Sequence, residues 1–316
     1  MKKWLIHLYI SFKETIRNLK LDKECKIGKA RIEADIIRYS HSIEKGLCLS
    51  QPRYEFGFSK IKYLFGLIEK YIELDKTENF CVLIAIDTLC AYIKFHEENN
   101  FNSEKIEEIK KKLHEVKQNY SYNEGDYGGI QVIDKKDLNF NTEEIERFFA
   151  SRHSVREYSG EPINEKDIVN AIKMAQFCPS ACNRQGVRVY RIESQKFFDD
   201  MNTKLEGVGG FAQDTDSFLL VTGKKSAYEV DERNQYIVSA SIFAGYLSLT
   251  LHLNGIAACA VQRSVSPNEQ WEKFKKINNI DKDEQIVIMF AIGKYKEKTK
   301  VPISKRYPIE KIYRKI

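Results

Sequence analysis

The chain has little that would place it in a membrane or outside the cell. None of its apolar runs approaches the ~20 residues needed to span a bilayer. No small-residue cleavage site follows the first apolar stretch, so a secretory signal is not expected. The seven cysteines, at positions 25, 48, 81, 90, 178, 182 and 259, are odd in number and mostly scattered through apolar runs. That pattern fits a reducing, cytoplasmic setting rather than a disulfide framework. Cys178 and Cys182 lie four apart, but no Cys or His pair nearby completes a zinc set, so no metal site is expected. A G-x-G-x-x-G after a strand, a P-loop, internal repeats and low-complexity segments are all missing.

What is present is a soluble composition: 42% hydrophobic, 12% aromatic and 30% charged residues. The length suits about two domains. The net charge of +6 is unevenly distributed. Residues 1–31 carry nine Lys/Arg against three acids, and residues 296–316 carry eight against two, so each end is +6 and the middle is −6. Two basic ends around an acidic body argue against a nucleic-acid binder, which would present a basic face or stripe.

The front of the chain reads as helical. Leu5, Leu8, Phe12, Ile16 and Leu19 are spaced three and four apart, an amphipathic pattern over residues 4–19. Such a helix either packs on the protein or lies on an anionic membrane surface. Ile32 to Leu49 holds His41, Glu44 and Lys45 near Gly46, which reads as a helix C-terminus with basic groups near its carbonyls. Phe80 to Phe95 is apolar nearly all round and predicts a buried helix. Phe101 to Gln118 carries one apolar stripe behind a cap at Asn102 or Ser103. Gly125, Gly128 and Gly129 break the pattern, which places a domain boundary near residue 140: an all-helical domain over 1–140 and a second domain over 141–316.

The second domain predicts helices after caps at Asn141 and Asn164, and strands over Arg188–Ile192, Ser217–Thr222, Ile256–Val261 and Gln285–Ile292, the last central. A long helix spans Asp231–Leu253, its small residues suited to close packing or a dimer seam. A shorter one starts at Ser266-Pro267-Asn268-Glu269.

Two motifs flank the Asn164 helix. The first, S-R-H-S-V-R from Ser151, puts Arg152, His153, Ser154 and Arg156 within five positions, a donor set suited to a phosphate dianion. The second, P-S-A-C-N-R-Q, follows a helix stop at Pro179 and offers Ser180, Asn183 and Gln185; amide side chains can read the mixed donor and acceptor edge of a heterocycle. In this order, separated by one helix, the two motifs resemble those of the nitroreductase family of FMN flavoproteins over roughly residues 141–316.

The resemblance implies an α+β fold, a mixed sheet flanked by helices, here preceded by the all-helical domain. It also implies FMN as cofactor, NAD(P)H as the usual donor, a homodimer and a small-molecule substrate. Arg152, His153, Ser154 and Arg156 would hold the flavin phosphate, ribityl chain and ring. Pro179, Ser180, Asn183 and Gln185 would approach the flavin, Ser180 often across the dimer interface. The backbone of Ala260, Val261 and Gln262 would pass the reactive nitrogen, and Arg306, with Lys305, would return to the phosphate. No catalytic acid or base is assigned; His153 and Tyr158 read as structural. Three departures stand out: Ser304 where some members carry a base, Gly186-Val187 in place of Pro-aromatic, and Arg263 where Gly is common. They motivate an alternative, a flavin-binding regulatory or scaffold protein without turnover.

Overall fold

The computed structural model describes the chain outside residues 1–3, 6–7, 10, 13–14, 17–18, 20–27, 76–79, 120–121, 123–124, 126, 202–209, 212–213 and 263–268. Beyond the helical residues described between 4 and 19, the front half contains α1 (Lys29–Leu47), α2 (Phe58–Leu74), α3 (Phe80–Glu98) and α4 (Glu104–Asn119). Their apolar faces share one core, in which Ile36, Ile43, Phe65, Ile68, Tyr71, Ile86 and Tyr92 are buried. As expected, α3 is apolar all round and sits in the middle of that core. Ser103 caps α4, its hydroxyl accepting from the Ile106 N–H at 3.3 Å. Helix α2 was not anticipated from the sequence, because Gly66 and scattered lysines obscure its apolar stripe of Ile61, Leu64, Phe65 and Ile68.

Helix α1 runs through Gly46 and ends at Leu47. A Cβ at Gly46 would lie 2.1 Å from the Phe56 ring, so this glycine serves a close approach. Glu44 is also structural: its carboxylate accepts from the Thr88 hydroxyl and the Gly129 N–H, both at 3.1 Å, and fastens the chain after α4 to α3.

The back half is α+β. Helices α5 (Thr142–Ser151) and α6 (Glu165–Ala175) precede β1 (Val187–Glu193), α7 (Ser194–Met201), β2 (Ser217–Lys224), α8 (Gln235–Leu253), β3 (Ile256–Val261), α9 (Glu269–Ile277) and β4 (Glu284–Lys294). The strands form one sheet in the order β1-β2-β4-β3, with β4 internal as expected. Every pairing among the described residues is antiparallel, where the sequence reading expected a mixed sheet. Strand alternation sends Leu219, Val221 and Phe290 toward α6 and α8, and Phe218, Leu220 and Met289 toward α7 and α9. Both faces are therefore covered.

Asn141 and Asn164 cap α5 and α6, accepting from the N–H groups of Glu144 and Lys166. Helix α8 begins at Gln235, four residues later than the apolar pattern suggests, because Glu232 is bound elsewhere. The expected start of α9 at 266–268, and Arg263, lie outside the described residues.

The halves meet through α1. Arg31 and Arg38 both pair with Glu229 and Asp35, and Arg31 also donates to the Tyr228 carbonyl at 2.7 Å. Ala34 packs with Ala227 and Tyr228 in a small apolar cluster of its own.

Candidate functional site

After α5 the chain runs extended from Arg152 to Tyr158 along the end of the sheet. The Val155 N–H donates to the Ala258 carbonyl of β3, and the Ser159 N–H to the Lys294 carbonyl of β4, each at 3.0 Å. Tyr158 locks this path from below. Its hydroxyl lies within hydrogen-bond reach of two carbonyls, Val155 at 3.0 Å and Ala291 at 3.1 Å, and its ring rests on Gly293, where a Cβ would lie 2.4 Å away. Burial pushes the Tyr158 phenol above its ordinary range, so it stays a neutral donor.

This path delivers Arg152, His153 and Ser154 to a cavity of about 480 Å³. Its other walls are the small-residue face of α8, with Ser241, Ala244, Gly245 and Ser248, and the even positions of β3 with the residue after it, Ala258, Ala260 and Gln262. Strand parity explains that wall: Cys259 and Val261 point into the opposite core. Arg156 turns the other way from Arg152, and its guanidinium reaches toward Cys259, whose thiol is raised by burial and partly drawn back by this charge.

His252, at the end of α8, completes the floor. Its Nε2 lies 2.8 Å from the Ser151 hydroxyl and its Nδ1 2.9 Å from the Tyr295 hydroxyl. Burial, then the charges of Arg152 and His153, lower its pKa, which favours neutral imidazole. His252 and Tyr295 were not anticipated from the sequence; a histidine at a helix end 101 residues from Ser151 gives no local signal.

The second motif folds into a tight loop. Cys182, Asn183 and Gln185 all adopt positive φ, near 50°, a conformation that costs non-glycine residues energy and is held by the surroundings. Ser180 Oγ accepts from the Gln185 N–H at 3.1 Å and closes the loop. Between them Arg184 is buried; it forks onto Glu232 at 2.6 and 2.7 Å and donates to the Ala227 carbonyl. Its guanidinium also lies 4.5 Å from the centre of the Tyr228 ring. Arg184 is the anchor the sequence reading passed over, since its partner lies 48 residues away.

Within the chain the two motifs do not converge. Ser180 and Gln185 line a different cavity, against α1, and Asn183 and Pro179 face outward. Lys305 and Arg306 lie in an exposed tail and do not line the Arg152 cavity. Gly186 is packed tightly, its missing Cβ leaving room for Ala227 and the Tyr228 ring at 3.0–3.4 Å. Among the described residues, no group of acidic, His or Cys side chains could hold a metal ion.

Comparison with known proteins agrees with this geometry in its location. No curated protein matches the chain. Similar solved structures include ydfN of Bacillus subtilis, assigned as a nitroreductase, at 21% identity and TM-score 0.48, covering 56% of this chain and 100% of that one. A Desulfovibrio desulfuricans protein, assigned as a nitroreductase and solved with FMN, is 16% identical, with TM-score 0.47 and coverage of 56% and 98%. An FMN-dependent nitroreductase of Clostridium difficile is 18% identical, with TM-score 0.44 and coverage of 52% and 96%. Residues 149–209 match the nitroreductase family, and this stretch contains both motifs and the helix between them. The segment that carries the Arg152 cluster and the Ser180 loop is thus similar to the nitroreductase family.

Proposed function

We propose that the protein is an FMN-dependent oxidoreductase acting on a small molecule, with NAD(P)H as donor. The observation that carries this reading is the convergence of Arg152, His153 and Ser154 with Ala260 and Gln262 on one cavity of about 480 Å³, within the roughly 300–1,000 Å³ usual for ligand sites. The donor set fits FMN. Arg152 offers a fork for the phosphate, Ser154 a hydroxyl, and the smooth wall of Ala244, Gly245, Ala258 and Ala260 a slot for a planar ring. Bound FMN would supply the hydride chemistry. The chain's own residues hold and orient it: Tyr158 fixes the strand that carries the clamp, and neutral His252 adds no charge beneath it.

The Ser180–Gln185 loop belongs to the same reading through a second copy. Ile237, Val238, Ile242, Tyr246 and Leu253 leave an exposed apolar face on α8, beside the cavity. A homodimer closed over this face would complete the site with Ser180, Asn183 and Gln185 of the partner subunit, and the tail bearing Lys305 and Arg306 would reach the phosphate. The resemblance assigns Arg156 to the flavin as well, but its guanidinium turns toward Cys259 and away from this cavity. The division at residue 140 follows the two core regions, and a cytoplasmic setting suits the free cysteines Cys48, Cys81, Cys90, Cys178, Cys182 and Cys259. The test is flavin occupancy of the double variant Arg152→Ala, Asn183→Ala. Occupancy should fall at least tenfold; an unchanged value ends this assignment. Flavin that binds but is never reduced by NADH or NADPH would instead favour a regulatory protein without turnover.

A second reading concerns where the enzyme sits. Trp4, Leu5, Leu8, Tyr9, Phe12, Ile16 and Leu19 are helical and all exposed, in a segment rich in lysine. That combination suits an anionic membrane surface. Co-sedimentation with vesicles containing phosphatidylglycerol, lost on deleting residues 1–20, is the expected result; no binding to such vesicles removes the idea.

A further inference from the structure

The cavity against α1 shares no lining residue with the Arg152 cavity. It encloses about 370 Å³, large enough for a ring-sized organic molecule. One wall comes from the front half, with Ala30, Ala34 and Ile37 of α1 and Phe80 of α3. The other comes from the back half, chiefly Val187 and Val189 of β1 and Phe243 of α8. Neither half forms the cavity alone.

Its polar groups are few and incompletely used. Ser239 is 1% exposed and lines the cavity, and its hydroxyl has no partner but the neighbouring Tyr228 hydroxyl. The Tyr228 hydroxyl is also buried without a partner of good geometry; it lies beside Ser239 and directly behind Gly186, whose own surface lines the cavity. The two hydroxyls have only each other, which leaves hydrogen-bonding capacity of both open to a ligand oxygen. At the rim, the Arg188 guanidinium touches only the backbone carbonyls of Gln185 and Val187. Lys224 stands next to it, 3.5 Å from the exposed Asp281. Glu33 lines the opposite wall and makes no ion pair among the described residues.

We propose that this cavity is a second small-molecule site, for a compact aromatic or alicyclic acid carrying a single negative charge. The apolar walls take the ring, Arg188 with Lys224 takes the acid group, and Ser239 with Tyr228 meets a neutral oxygen at the far end. Glu33 selects against a second negative charge, so a monoanion binds better than a phosphate ester of the same ring. Through this site the helical front half has a direct part in ligand recognition. The cavity shares Ser180 and Gln185 with the loop assigned to the flavin, but Ala30, Arg188 and Ser239 have no part in that assignment, so their variants test this inference separately.

The experiment is calorimetric titration of the full-length, FMN-supplemented protein with 2-naphthoate, and with 2-naphthyl phosphate for comparison. One molecule of naphthoate should bind per chain, at least fivefold tighter than the phosphate. Arg188→Gln and Ser239→Ala should each weaken it, the first by roughly tenfold. Ala30→Phe, at the mouth, should block it. Ser239→Ala doubles as a folding control, since it removes one poorly bonded hydroxyl and should leave the melting temperature nearly unchanged. The proposal is overturned by three outcomes: no binding at millimolar naphthoate, binding indifferent to Arg188→Gln and Ser239→Ala, or displacement of naphthoate one-for-one by FMN.

Discussion

Arg184 and Glu232 join two segments that each half of the molecule needs. The guanidinium, 1% exposed, forks onto a carboxylate that stays about one-third exposed, at 2.6 and 2.7 Å. Glu232 also accepts from the Glu229 N–H, and Glu229 is the residue that Arg31 and Arg38 of α1 grip. The strained Ser180–Gln185 loop is therefore tied, through one turn, to the front helices.

Arg184→Ala should loosen that loop and cost about 2 kcal/mol, less than a fully buried pair because Glu232 remains hydrated. Thermal or urea unfolding gives the stability, and faster proteolysis after residue 182 reports the loop.

The same pair gives the protein an acid dependence. The Arg184 hydrogen bonds hold the Glu232 carboxyl at about 2, against 4.5 for an ordinary glutamate. A depressed folded pKa stabilises fully above the unfolded value, and the gain is lost as pH falls from about 4.5 through about 2. Glu232→Gln should accordingly differ most from the parent protein near pH 6, with the gap in melting temperature closing toward pH 2. A gap independent of pH would mean that the carboxylate charge is irrelevant.

His252 has the same sign at a higher pH. Burial, with Arg152 and His153, depresses its pKa below 6.5, so it stabilises above that value and loses its contribution on acidification. His252→Gln should flatten the loss of stability between pH 7 and pH 5, measured as melting temperature. An unchanged slope contradicts the assignment of a neutral imidazole.

Tyr158 and Gly293 test how the clamp is held. Tyr158→Phe removes a buried hydroxyl that reaches two carbonyls and should cost about 1–2 kcal/mol. Gly293→Ala places a Cβ 2.4 Å from the ring and should cost more, about 2–3 kcal/mol, while weakening flavin binding as Arg152 shifts. Urea denaturation and flavin titration separate the two effects.

Local chemistry made most elements legible in advance. The caps at Ser103, Asn141 and Asn164, the buried helix α3 and the internal strand β4 all follow from residue order and periodicity. Arg152, His153 and Ser154 reach one cavity together, as neighbours on one extended segment can. What was not legible depends on distant partners. Arg184 needs Glu232, His252 needs Ser151 and Tyr295, and α2 needs a core contributed by three other helices. Nor did spacing reveal that Ser180 and Gln185 line a different cavity from Arg152. One intervening helix fixes their separation in sequence, but strand order puts one cavity at the β1 edge and the other at the β3 edge of the same sheet face.

The exposed α8 face supplies the prediction about assembly. Tyr246→Asp, on its apolar stripe, should shift the protein from dimer to monomer in sedimentation velocity and remove flavin with it. A monomer that retains full flavin affinity would mean that each Arg152 cavity is complete alone.

The most direct measurement is the visible spectrum of the purified protein with FMN, followed by NADH or NADPH under nitrogen. The account predicts one flavin per chain and bleaching of its absorbance by one of the two donors, with Arg152→Ala failing to retain the flavin. Colourless protein that does not take up FMN would contradict the account at its centre.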